Sequence, residues 1–261
     1  MDSEWLRRFS VPTGGSAAGG TTLVCLPHAG GAASTYVPLA RALAPAVEVL
    51  AVQYPGRQDR RHEPPVDDLG ALADALAAEV RDRLEGPYAF FGHSMGAVLA
   101  YETARRLRDR QETGPVRLFL SGRRAPALDP SPHDRLLTDA DVMAEVRRLG
   151  GTTPAVLDDP EVREMVMPAL RADYRAVGSY AWRPGAPLDV PVELYVGDSD
   201  PVAPVEQVSA WREFTTATTR LEVFPGGHFY LDRNLPAIAA SVTRALSAPA
   251  DGLAPHPGVR S

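Results

Sequence analysis

Ser94 stands in the run Gly92-His93-Ser94-Met95-Gly96, preceded by the apolar stretch PYAFFG and followed by the alanine-rich stretch MGAVLAYETARRL. A serine hydroxyl attacks a carbonyl only when a base takes its proton, and that base needs an acid to hold it in the right tautomer. Small residues on either side of the serine suit a sharp strand-to-helix turn that exposes the hydroxyl. The competing role for Ser94 is a helix cap between two glycines. Of the six histidines, His228 in FPGGHFY lies on a glycine-rich loop just past an apolar run, where its ring can reach the serine. His93 adjoins Ser94 and is expected to point away from it, into packing. His62 and His133 fall in polar, proline-rich loops, and His256 lies near the end of the chain. For the acid, VELYVGDSDPVAP offers Asp198 and Asp200, either of which could instead cap a following helix. Asp200 is preferred because it lies further past the apolar run, where its side chain can curl toward the histidine.

Attack on an acyl carbon also calls for two donors aimed at the developing oxyanion. The backbone N–H of Met95, directly after the serine, is one candidate. The other is the N–H of Ala29 in LPHAGGAAS, a glycine-containing loop that ends an early apolar run. His28 is a candidate brace for that loop. HAGG could also be a phosphate-cradling turn, but it lacks the spaced glycines and the lysine of a nucleotide loop.

These residues need a scaffold, and the chain supplies one. The short apolar runs TTLVCLP, VEVLAVQYP, PYAFFG, VRLFLSG, VELYVG and RLEVFPG are each followed by a segment of helical character. Such alternation predicts an α/β fold, a mostly parallel sheet with helices on both faces. Between Asp67 and Glu85, Leu69, Leu72, Leu76, Val80 and Leu84 recur at helical steps, with acids and arginines turned to water. No strand is expected between about Arg124 and Pro187, where TDADVMAEVRRLGG and PEVREMVMPALRADYRAVGSY read as helices. Thr138 or Asp139 would cap the first and Gly150–Gly151 would stop it. The expected organisation is a core in two parts, 1–124 and 188–248, a helical lid inserted at 125–187, and a loose tail at 249–261. Val142, Met143, Val146, Met165, Val166, Met167 and Leu170 are mostly expected in ordinary helix packing. Met143, Val146 and Met167 are the candidates for a pliable wall against an acyl chain.

Composition narrows the classes further. The 261 residues are long enough for one large domain with a sizeable core. With 44% apolar and 23% charged residues, the chain has ordinary globular usage. A formal charge of −6 without a basic block argues against nucleic acid as a partner. No stretch approaches the roughly 20 apolar residues of a membrane span, and a cytoplasmic location is expected. Cys25, the single cysteine, sits in an apolar run and is expected to be a buried strand thiol. No metal-ligand spacing is visible.

Taken together, CLPHAGGAASTY, VQYPGRQDR, FFGHSMGAVLAYETARRL, YVGDSDPVAP and FPGGHFYL resemble the type II, or external, thioesterases of modular polyketide and nonribosomal peptide synthases. The resemblance covers nearly the whole chain. It implies an α/β-hydrolase fold, whose triad runs along the chain in the order serine, acid, histidine, with a helical lid over it. Carried over by position, it implies Ser94, Asp200 and His228 as the triad and Ala29 and Met95 as oxyanion amides. The implied activity is editing, the hydrolysis of acyl groups from the phosphopantetheine arm of acyl or peptidyl carrier proteins, with no cofactor. Such carriers are usually acidic, which makes Arg123 and Arg124 candidate docking residues. The rival readings are a small-molecule carboxylesterase or lipase of the same fold, and a noncatalytic relative that only binds a ligand.

Overall fold

All of the expected apolar runs become strands of one sheet. In a computed structural model, which describes residues 3–9, 20–128, 131–136, 138–151 and 158–247, they form β2 (Thr22–Leu26), β3 (Glu48–Val52), β4 (Tyr88–His93), β5 (Arg117–Ser121), β6 (Val192–Gly197) and β7 (Thr219–Phe224). A short strand that the sequence pattern did not predict, β1 (Leu6–Arg8), pairs antiparallel with β3 at one edge. The sheet order is β1-β3-β2-β4-β5-β6-β7, and every pairing after the first is parallel.

The helices are α1 (Val37–Leu43), α2 (Leu69–Arg83), α3 (Met95–Asp109), α4 (Asp139–Leu149), α5 (Pro160–Ser179), α6 (Val205–Ser209) and α7 (Leu235–Ser247). Residues of β4 and β5 are buried throughout, which explains why these strands read as continuous apolar runs rather than alternating ones. Their side chains divide between two cores by strand parity. Phe90, Leu118 and Leu120 face the core built with α2 and α3, whereas Phe91 and Phe119 face the one built with α1 and α7. On α2 the expected stripe Leu69, Leu72, Leu76 and Val80 is buried, and Leu84 lies one residue past the helix end. Asp68 caps α2 by accepting from Ala71 N at 2.7 Å.

Among the described residues, the segment between β5 and β6 carries α4 and α5 and no strand. Thr138 and Asp141 form a reciprocal capping box at the start of α4, and Gly150 ends it in the left-handed conformation, φ +78°. Cys25 is fully buried in β2, and burial pushes its thiol pKa well up. No helix of the described residues is long and apolar enough to cross a membrane. The expected tail at 249–261, with His256, lies outside the described residues. Parallel strands place their carboxyl ends on one edge of the sheet, the usual place for a site in an open α/β sheet. The loops after β2, β4, β6 and β7 therefore meet there.

Candidate active site

Ser94 links β4 directly to α3 with φ +56° and ψ −115°. A non-glycine residue held in this sparsely allowed region stores strain, which persists only where the surroundings over-determine it. The flanking glycines do so. A Cβ on Gly92 would lie 2.1 Å from Gly96 O, and one on Gly96 would lie 2.0 Å from Leu26 O. Strand, turn and helix can approach this closely only without side chains at those two positions. The Ser94 N–H donates to Ser121 O at 2.8 Å, tying the turn to the end of β5. Its side chain makes no capping hydrogen bond to α3. The hydroxyl is turned to another partner.

That partner is His228, whose Nε2 is 3.0 Å from Ser94 Oγ. His228 Nδ1 is 2.8 Å from Asp200 Oδ2. The second carboxylate oxygen, Asp200 Oδ1, accepts from Val202 N at 2.9 Å and Ala203 N at 3.2 Å, which fixes the carboxylate plane. With the proton on Nδ1 facing the carboxylate, Nε2 is left to accept from the serine. Both residues are buried, so the electrostatic coupling between them is screened little. Asp198 does something else. It is exposed, and its Oδ1 accepts from Ser199 Oγ at 2.6 Å and from Gly226 N at 3.0 Å. It thereby pins the loop that carries His228, and these two donors hold its carboxyl below the usual range.

Ala29 and Met95 line the same small cavity as Ser94 and His228. Among the described residues, neither of their backbone N–H groups has a hydrogen-bond partner. Met95 is the first residue of α3, where N–H groups are unpaired and the helix dipole favours negative charge. The cavity holds only about 30 Å³, room for a water or two. A larger cavity of about 520 Å³ shares the His28–Gly31 loop; Phe91, Phe229 and Ile238 are among the residues that line it.

A strained serine, a histidine and a buried acid in hydrogen-bond series, beside two free amides, can perform acyl transfer. The profile of the family described as "Thioesterase domain" matches residues 21–246. The chain belongs to this thioesterase family. The enzyme is 48% identical over 229 residues to the thioesterase PikA5 of Streptomyces venezuelae, spanning 87% of this chain and 80% of that protein. It is 44% identical to a "probable cadicidin biosynthesis thioesterase" of Streptomyces griseus, over 94% of this chain and 66% of that protein. The solved structure of "the type II thioesterase BorB from the borrelidin biosynthetic cluster" superposes with a TM-score of 0.84 at 42% identity, covering 94% of this chain and 99% of BorB. The fold is thus that of the α/β-hydrolase thioesterases.

Other expected site residues of this thioesterase fall in different places. Met143 and Met167 are buried between α4 and α5 with Val142, Leu170 and Tyr174, and Val146 packs against them. They sit on the two helices between β5 and β6 and face one another rather than the cavity at Ser94. One stripe of α4 meets α5, while the stripe carrying Glu145 and Leu149 turns to the serine. Met165 is 61% exposed. Arg123 is no open docking group either: its guanidinium makes a bidentate pair with Asp134, both bonds 2.8 Å, on the wall of the same cavity. Arg124 is half-buried.

His28 packs edge-on against Phe229 at 4.8 Å between ring centroids, and its carbonyl accepts from Gly31 N at 2.9 Å. Burial, then His228, then Arg57 lower its pKa to about 3, so the ring is neutral. His93 points away from the serine and lies behind His228, its Nδ1 2.8 Å from Ser121 Oγ, which is 2.6 Å from Tyr230 Oη. Ser121 and Tyr230 escaped the sequence reading. So did Glu145, for which the one available signal is an acid on an otherwise buried helical stripe.

Proposed function

We propose that this thioesterase hydrolyses acyl groups from the phosphopantetheine arm of acyl or peptidyl carrier proteins, and so clears stalled or wrongly primed synthase stations. The observation that carries the reading is the hydrogen-bond series Ser94 Oγ, His228 Nε2, His228 Nδ1, Asp200 Oδ2 at 3.0 and 2.8 Å, opening onto the unpaired amides of Ala29 and Met95. The pathway context is supported by relatives named for biosynthetic pathways, among them "Gramicidin S biosynthesis protein GrsT".

Ser94 Oγ adds to the thioester carbonyl as His228 Nε2 takes its proton, and Asp200 steadies the imidazolium. The oxyanion is held by the Ala29 and Met95 N–H groups and the amino end of α3. The C–S bond breaks, and His228 returns the proton to the departing pantetheine sulfur. Water then adds to the acyl-serine with its proton going to His228; the acid leaves and Ser94 recovers its hydrogen. The chemistry draws only on side chains, backbone amides and water. The lid role of α4 and α5 belongs to the same proposal, because they cover Ser94.

The test compares hydrolysis of one acyl group presented on a holo carrier protein and as a simple oxygen ester, with Ser94→Ala as the blank. Faster turnover of the carrier thioester, abolished in folded Ser94→Ala, is expected. A preference for the oxygen ester, or wild-type turnover by Ser94→Ala, would refute the reading.

A further inference from the structure

Asp173 on α5 is completely buried. A buried carboxylate persists only when its oxygens are matched by donors. Its Oδ1 accepts from Arg57 Nη2 at 2.8 Å, and its Oδ2 from Arg57 Nη1 at 2.7 Å and from the backbone N–H of Gly30 at 2.7 Å. Arg57 lies in the loop after β3 and is itself buried; its Nη1 also donates to Gly31 O at 3.1 Å and its Nε to Pro55 O at 3.4 Å. One ion pair therefore grips the N–H of Gly30 and the carbonyl of Gly31, the backbone just after Ala29.

A second contact reinforces the first. Gly30 has φ +77°, and a Cβ there would come to 2.5 Å from Leu170 Cδ2, three residues before Asp173 on α5. Ala29 itself packs against the α4–α5 cluster of Met143, Leu170 and Tyr174. The direction of the Ala29 N–H depends on the His28–Gly31 turn, and α5 holds that turn by both a hydrogen bond and a side-chain contact.

We infer that Asp173, acting with Arg57, is a positioning residue for the oxyanion site: the Ala29 N–H is aimed at the reacting carbonyl only while α5 is docked with Asp173 on Gly30. This rests on the reading of Ala29 as an oxyanion donor. Opening of α5 would then disassemble the oxyanion site, and seating α5 over a bound thioester would rebuild it. Hydrolysis is thereby coupled to coverage of the substrate.

The experiment uses the full chain, an acyl-N-acetylcysteamine thioester, and a trifluoromethyl ketone that adds to Ser94 and places an oxyanion in the hole. Asp173→Ala is expected to lower kcat by roughly 10²-fold, the scale of losing one oxyanion donor, with KM within about threefold and the ketone Ki weakened as much as kcat/KM. Asp173→Asn keeps the shape and one acceptor oxygen but loses the charge, and a smaller loss of about tenfold in kcat and in ketone affinity is expected. A folded Asp173→Ala with wild-type kcat, or one whose loss is confined to KM, overturns the inference. If Asp173→Ala does not fold, wild-type kcat and Ki in Asp173→Asn overturn it. Absence of thioester hydrolysis by the wild-type chain, with Ser94 unlabelled by a fluorophosphonate, would sink the functional reading and this inference together. An unaffected Asp173 variant beside an active wild type leaves that reading standing.

Discussion

Two aspartates two residues apart have opposite duties. Asp200 turns one oxygen to His228 and the other to two backbone amides, whereas Asp198 turns outward and ties down Gly226. Asp200→Asn is expected to lower kcat by roughly 10³–10⁴-fold with the fold intact, because the amide disfavours the tautomer that the serine needs. Asp198→Ala is expected to keep kcat within about tenfold, since it loosens the histidine loop without touching the ring. Steady-state kinetics of both variants on one thioester checks the ranking, and a larger defect at Asp198 would reverse the two roles. Ser94, Asp200 and His228 were legible because each sits in a short motif just past an apolar run. The Arg57–Asp173 pair was not, because its members are 116 residues apart and no local pattern marks two charges destined to be buried together.

The helices between β5 and β6 close over the serine and leave about 30 Å³ beside it, against the roughly 300–1,000 Å³ of ordinary small-molecule sites. On the proposed thioesterase reading, admission of a thioester calls for α4 and α5 to shift. Of α5, Ala176 and Val177 join the main core and Asp173 pairs with Arg57, while β4 and β5 are buried along their whole length. Hydrogen exchange in α4 and α5 is expected to be faster than in β4 and β5; equal protection would count against opening. The positions of these helices could be read from the Thr138 cap, the Gly150 stop and apolar periodicity. Periodicity identifies their apolar faces but not what those faces meet: Met143 and Met167 pack between the helices, while Glu145 and Leu149 turn to the serine. β1 escaped for a related reason. Its three residues include two arginines, and its pairing with β3 comes from tertiary context rather than propensity.

Two histidines beside the site, His28 and His93, are held neutral, and this makes the stability of the whole molecule depend on pH. Burial, then His228 and His28, depress the pKa of His93 well below its ordinary value, and that of His28 falls to about 3. In the unfolded chain both rings take up protons near about pH 6.5. The unfolded state thus binds more protons below that pH, so the stabilisation is complete above about 6.5 and declines as the solution is acidified. Each ring contributes at most about 1.4 kcal/mol per pH unit. Urea denaturation at pH 7.5 and pH 5 is expected to show a lower midpoint at pH 5, and equal midpoints would contradict neutral burial of these rings. At this scale the parallel α/β plan was plain from the alternation of apolar runs and helices, since each strand buried on both faces must be apolar throughout. Cys25, sealed in β2 with its thiol held protonated, has one more consequence. The reaction proposed for this enzyme releases a free thiol at every turnover, and the only cysteine of the chain is buried and protonated, so even under an oxidant the enzyme offers that thiol no accessible partner for a mixed disulfide. The same seclusion leaves the surface chemically silent toward maleimides, and a cysteine introduced at the exposed Met165 position on α5 would carry a single spectroscopic label on the helix that grips the oxyanion loop.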